Sequence, residues 1–256
     1  MSHNGTPNNV AQLRMPNIAP LRNVMLLKRV MDHLTKRSAN LPGIGALYGS
    51  AGLGKSNACA AAASAYRAVY IETRSHHAKK SFLLAILAEM GIKPERTTSE
   101  MVDQVCQELM LSRRPLILDE GDYLVSRKLI ELVRDIYEGS GAAVLLVGEE
   151  RFPANLKRAS ERFYDRVLEW QPAELADMED TRKLAKLYSP DVEIRDDLLA
   201  RILEVSRGVA RRIAVNVENV RQEAKKNPPR GGGGIGLKDW GSKPFYTGEA
   251  PMRRPT

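Results

Sequence analysis

The stretch GSAGLGKS, Gly49 to Ser56, follows the apolar Ile44-Gly45-Ala46-Leu47-Tyr48 and precedes an alanine-rich run from Asn57 to Ala65. It fits G-x-x-x-x-G-K-[ST], with Gly49, Gly54, Lys55 and Ser56 at the defining places between an expected strand and an expected helix. Glycines let the backbone wrap closely round phosphate oxygens. Consecutive N–H groups and the positive end of the following helix then point at the anion. Lys55 is placed to reach the β- and γ-phosphates, and Ser56 offers a hydroxyl to Mg²⁺. Gly49, Ser50, Ala51, Gly52, Leu53, Gly54, Lys55, Ser56 and Asn57 are therefore the candidate contacts to bound ATP.

A nucleoside triphosphatase also needs carboxylates, and RRPLILDEGD supplies them. Pro115 opens an apolar strand, Leu116-Ile117-Leu118, that ends in Asp119 and Glu120. An uninterrupted apolar run reads as a buried central strand, and acidic residues at its carboxyl end fall beside the phosphate loop in an open α/β sheet. Asp119 is the candidate to hold Mg²⁺ through water. Glu120 is the candidate to orient or deprotonate the attacking water.

The 256 residues, 43% of them hydrophobic, suffice for one α/β domain and a small helical addition. No window approaches eighteen apolar residues without a charge, and the first residues lack the apolar core of a signal peptide. The expectation is a cytoplasmic protein with no membrane partner. Cys59 and Cys106 fall in expected helices without a C-x-x-C pattern, which reads as structural thiols. The net charge of +8 is uneven: residues 1–37 and 221–256 each carry +5, which leaves −2 for the body. Basic ends on a near-neutral body read as attachments to a polyanion, most often nucleic acid.

Along the chain, residues 1–20 read as a flexible basic arm and Leu21 to Arg37 as an amphipathic helix. Strands are expected at 43–48, 68–72, 116–119, 142–147 and 166–170, with helices between them. Tyr123 to Tyr137 reads as one amphipathic segment. This alternation predicts an α/β domain over 21–172 with a five-stranded parallel sheet. Helices at 173–188, 195–206 and 209–225 predict a three-helix lid over 173–225. Residues 226–256, rich in Gly and Pro, read as a disordered basic tail in which Trp240, Phe245 and Tyr246 are exposed.

This order of parts resembles the AAA+ ATPases of the P-loop class, and the resemblance runs from about Leu21 to Glu223. The stretch SRGVARRI carries a G-x-x-R at the start of the last lid helix. In the initiator and transposition branches that motif implies an arginine on the γ-phosphate, here Arg211, with Arg212 as the alternative. YIETRSHHAKKSFLLAILAEMGI, LILDEGDYL and LLVGEERF look most like the target-selecting ATPases of DNA transposition, the B proteins of Mu-like phages with their TnsC, TniB and ExeA-like relatives. That family implies ATP-dependent self-association into a filament or ring on duplex DNA, delivery of target DNA to a transposase, and hydrolysis stimulated by that transposase, so that the expected ATPase responds to assembly, DNA or partner. One position departs from it: after the fourth strand, where relatives place a polar Asn, Thr or Gln, stands Glu149, expected to face away or to pair with an arginine.

In such an assembly an arginine of one subunit completes the next subunit's site. Arg158, Arg162 and Arg166 are the candidates, with Arg166 favoured and Arg162 next. DNA contact would come from Arg74, Lys79 and Lys80 after the second strand and from Arg127 and Lys128 after Glu120. These are phosphate-positioning residue types, so binding is expected to be independent of sequence and steeply dependent on salt. Two other readings share the same core: a loader or remodeller of a replicative helicase, and a small-molecule kinase.

Overall fold

The computed structural model of the chain describes residues 19–38, 40–228 and 234–250. Five strands, β1 (Ile44–Tyr48), β2 (Val69–Glu72), β3 (Leu116–Asp119), β4 (Val144–Gly148) and β5 (Val167–Pro172), form one sheet in the order β2-β3-β4-β1-β5, every pairing parallel. The parallel five-stranded sheet expected from the alternating pattern is present. Its central strands are apolar up to their carboxyl ends, where β3 finishes in Asp119, because both faces are covered. Leu116, Leu118, Val144 and Leu146 point to one side, where they join a core with helices α3 (Lys79–Met90), α4 (Thr98–Ser112) and α6 (Ile130–Ser140). Ile117, Leu145 and Val147 point to the other side, against α1 (Arg22–Thr35) and α2 (Lys55–Tyr66). The alternation follows from the two-residue period of a strand. Small residues Ala58, Cys59 and Ala62 let α2 lie close on that second face.

The expected segment from Tyr123 to Tyr137 is two helices, α5 (Gly121–Ser126) and α6, not one. Lys128 takes a left-handed backbone, φ 56°, which no helix tolerates in its interior. The break turns α6 onto the sheet so that Leu132, Val133 and Ile136 enter the core. Between β4 and β5 lie the short α7 (Phe152–Ala159) and α8 (Glu161–Tyr164).

Beyond β5 the helical layer consists of α9 (Met178–Tyr188), α10 (Asp196–Ser206) and α11 (Ala210–Lys226). α9 begins later than the sequence suggested, because Asp177 caps it by accepting the Asp180 N–H, 2.9 Å away. Leu184, Leu198, Leu199, Ile202, Ile213, Val217 and Val220 form a separate core, which Leu21 at the foot of α1 joins.

The first eighteen residues of the expected basic arm lie outside the described residues, as do 229–233 and 251–256 of the expected tail. The described part of that tail, 234–250, does not stand free. Ile235 pairs with Ile194 in a parallel bridge, and the short helix α12 (Leu237–Trp240) puts Trp240 into the lid core at 4% exposure. The Trp240 ring lies 5.4 Å from that of Phe245, its indole N–H donates to the Lys243 carbonyl, and the buried Asn216 of α11 exchanges two hydrogen bonds with the backbone of Tyr246. Of the three aromatics expected to be exposed, only Tyr246 is. The composition misleads here because a few apolar residues suffice when another core is already there to receive them. Among the described residues no helix is long and apolar enough to cross a membrane, and both cysteines are free thiols.

Truncating Trp240 to Ala removes a large buried side chain from the lid core and is expected to destabilise the lid by about 3 kcal/mol. Denaturant unfolding of the variant beside the parent protein measures the loss.

Candidate functional site

The carboxyl ends of β1, β3 and β4 meet at one edge of the sheet, and the Gly49–Ser56 loop turns there from β1 into α2. Gly52 and Gly54 adopt φ of 84° and 87°, a region that penalises any Cβ. At Gly52 space is also short, since a Cβ would stand 3.0 Å from Cγ1 of Val209, at the start of α11. The loop is fastened from several sides. The Gly49 N–H donates to the Gly148 carbonyl, the Arg211 N–H donates to the Gly52 carbonyl at 3.0 Å, and the Asn23 side-chain amide donates to the Leu53 carbonyl at 2.9 Å. The same Asn23 amide group both donates to the Glu174 carbonyl and accepts the Glu174 N–H, which locks α1 to the connection between β5 and α9. Arg22, one residue earlier, pairs with Glu174 and Asp177 on that connection.

Lys55, the first residue of α2, is buried, and its ammonium donates to the carbonyls of Gly49 (2.5 Å) and Ser50 (2.9 Å). Ser56 and Asn57 are exposed at the helix start. Asp119 ends β3, buried to 3% exposure, with one carboxylate oxygen accepting the Tyr70 hydroxyl (3.0 Å) and the other the Glu120 N–H (2.8 Å). Burial, and then the charge of Asp119, raise the Tyr70 hydroxyl's proton affinity, so it stays a neutral donor. Glu120 sits in the left-handed region at φ 56° and caps α5. Its carboxyl is pushed above the usual range by burial first, then by the charges of Asp119 and Glu149.

A cavity of about 790 Å³ joins these groups. Ala51, Gly52, Gly54, Lys55, Ser56, Asn57, Asp119, Glu120 and Arg211 all line it, so residues far apart in sequence share one space. Its other wall comes from Leu21, Leu184, Tyr188 and Val215, with the polar Glu218 and Asn219 of α11 beside them. Those wall residues carry no motif, and they were missed because a lid helix faces the cavity only once its packing angle is known. Asn23 did leave a sign, as a polar residue in line with the apolar Leu27, Val30 and Leu34 on one helix face. Tyr70 left none, since its tie to Asp119 comes from the lateral pairing of β2 with β3.

Glu149 neither faces away nor pairs with an arginine, as had been expected. Its carboxylate lies 3.3 Å from the Lys55 ammonium, and its N–H donates to Asp122 at 2.7 Å. Arg212 stands beside Gly248 of the C-terminal segment instead of in the cavity. Arg166 precedes β5 at the amino end of the sheet, away from this chain's own cavity, where it pairs with Glu138 at 2.6 Å and donates to the Arg162 carbonyl. Arg158 and Arg162 are exposed on the same α7–α8 segment. Arg74, Lys79 and Lys80 follow β2, while Arg127 and Lys128 follow α5; all five are exposed. None of the five lines the cavity.

The donor set suits Mg²⁺: a serine hydroxyl and a buried carboxylate, both hard oxygen ligands, with room for water between. No cluster of three or more His, Cys, Asp or Glu side chains able to hold a metal by themselves occurs among the described residues.

Residues 36–156, a little under half of the chain, match the family model described as AAA domain. No curated protein matches the chain in sequence. Among solved structures, Cdc6p from Pyrobaculum aerophilum aligns with a TM-score of 0.62 at 18% identity, over 83% of this chain and 64% of its own. The ADP form of the ORC2 protein of Aeropyrum pernix aligns at 0.58 and 18% identity, over 80% and 63%. Domain III of the Thermotoga maritima replication initiation protein DnaA aligns at 0.54 and 15% identity, over 85% and 88%. At these identities the likeness is one of fold. The chain spans under two thirds of the two archaeal proteins' length.

The crowding of Glu120 has a consequence for stability. A carboxyl whose proton affinity rises on folding costs stability once ionised, so the penalty is full above the raised pKa and vanishes below the ordinary value of 4.5. Glu120→Gln is therefore expected to raise the melting temperature of the nucleotide-free protein at pH 7.5. The gain should shrink as pH falls towards 4.5, which thermal unfolding across a pH series measures.

Proposed function

We propose that this protein is an ATP-hydrolysing, sequence-nonspecific DNA-binding ATPase that assembles on duplex DNA and delivers target DNA to a transposase. The observation that carries the ATPase part is the single cavity shared by the phosphate loop, Asp119, Glu120 and Arg211. The backbone N–H groups of residues 50–55 and the start of α2 would cradle the phosphates, with Lys55 neutralising them. Ser56 and, through water, Asp119 would hold Mg²⁺, which would screen the phosphate charge. Glu120, with its raised proton affinity, would accept a hydrogen bond from the attacking water and align it. Arg211 would bring its guanidinium to the γ-phosphate. Because its own N–H already bonds the Gly52 carbonyl, a change at the phosphates would be felt by α11 directly.

Arg166 lies too far round the sheet to serve this chain's own cavity, which supports a role in a neighbouring subunit's site. An arginine supplied in that way contributes about a thousandfold or more in rate, so hydrolysis would depend on assembly. Filament or ring formation supplies that neighbour. For DNA, Arg74, Lys79, Lys80, Arg127 and Lys128 follow neighbouring strands β2 and β3 and present cations without an evident base-reading set. Transposase delivery rests on the resemblance of the loop after β2, LILDEGDYL and LLVGEERF to the transposition family. The likeness to Cdc6, ORC2 and DnaA favours a second reading, a loader or remodeller of a replicative helicase.

Lys55→Ala is expected to abolish both ATP binding and hydrolysis. Binding of random-sequence duplex DNA with ATP, ADP or no nucleotide, across a salt series, tests the rest. Cooperative binding with ATP alone, weakening by about tenfold or more between 50 and 200 mM salt, supports assembly on DNA. Binding indifferent to nucleotide overturns that switch. Retention of a helicase instead of a transposase would select the loader.

A further inference from the structure

Glu149 occupies a position where it should harm a phosphate site, yet the chain builds it in firmly. It is the first residue after β4, its N–H is held by Asp122, and its carbonyl accepts the N–H of Phe152, which opens α7. Its side chain, 44% exposed and so free to swing outward, reaches the nearly buried Lys55 ammonium at 3.3 Å. The next residue, Glu150, accepts a hydrogen bond from the Ser50 hydroxyl at 3.1 Å. Two successive carboxylates from the end of β4 therefore bear on the phosphate loop.

A lysine ammonium has three N–H donors. Here two are taken by the Gly49 and Ser50 carbonyls, and Glu149 faces the remaining positive charge. We propose that Glu149 is a latch on Lys55 that a triphosphate must displace and a diphosphate need not, so that this residue sets the protein's preference between ATP and ADP. The inference rests on the nucleotide-binding reading of the cavity. The α- and β-phosphates have the loop N–H groups to hold them even where Lys55 is shared, whereas a γ-phosphate, further out, leans on the Lys55 ammonium for which the Glu149 carboxylate competes. If the carboxylate stayed in place, two anions would sit close together in a site partly shielded from water, where repulsion is strong. A half-exposed ion pair adds little to folding, so the latch can open. The Glu149 carbonyl also accepts the Phe152 N–H at the first residue of α7, and α7–α8 carry Arg158 and Arg162 just ahead of Arg166. Glu149 is in this sense a positioning residue acting through Lys55.

The test is calorimetric titration of the full chain and of Glu149→Gln with ADP and with a non-hydrolysable ATP analogue, each with Mg²⁺, at low and at high salt. The substitution is expected to tighten the triphosphate by about tenfold and ADP by less than about threefold. The difference should narrow at high salt, a response that a merely structural role would not give. Glu149→Ala, which cannot retain a hydrogen bond to Lys55, should shift the ratio in the same direction. An unchanged ATP-to-ADP ratio, or weaker triphosphate binding in both variants with unaltered melting temperature, overturns the latch while leaving the nucleotide site standing. Failure of the parent protein and both variants to bind either nucleotide overturns the nucleotide reading itself, and the latch with it.

Discussion

A loop that gives up its side chains to make room for phosphate must be held by something else. From Gly49 to Gly54 this chain has three glycines, an alanine, a leucine and a serine, and among the six only Ser50 offers the loop a polar side chain of its own. The backbone is fixed instead from four directions: by β4 through the Gly148 carbonyl, by α2 through Lys55, by α1 through Asn23, and by α11 through the Arg211 N–H. Each of these supports is itself anchored in a core. Asn23 rides on a helix whose Leu27, Val30 and Leu34 are fully buried, and Gly148 ends a strand that is buried along its whole length.

Those supports also explain why sheet and lid are not independent bodies around the cavity. The Asn23 amide joins the loop to Glu174, just ahead of α9, and Leu21 enters the lid core. On α11, Arg211 bonds the loop and lines the cavity while Arg212 stands beside Gly248 and Asn216 grips Tyr246. One helix therefore touches the phosphate loop on one side and the C-terminal segment on another. Because a helix is stiff, a shift imposed at one contact is carried to the other.

The sheet was legible because buried parallel strands leave a plain mark: LILD and VLLVG are apolar runs bounded by turns, and little else reads that way. GSAGLGKS was legible because its chemistry demands particular residues at particular spacings. Elsewhere local pattern gave way to tertiary context. Tyr123 to Tyr137 has helical periodicity, but the chain breaks at Lys128 so that α6 can reach the core. The tail looked too polar to fold, and alone it would be; Ile235 and Trp240 found a core already made by α9, α10 and α11. Glu149 had the character of an anion near phosphate, and only the meeting of β4 with β1 revealed which cation it faces.

By itself the sequence determined the α/β class, the five strands, the phosphate loop and the carboxylates at the end of β3, because each depends on neighbours within a few residues. The tertiary structure decided the partners: Tyr70 for Asp119, Asn23 for the loop and the lid connection, Lys55 for Glu149, Glu138 for Arg166, and the lid wall of the cavity. These join residues separated by 28 to 151 positions, and no local propensity records them. They come into being only when strand order and helix packing bring distant side chains to the same edge of the sheet.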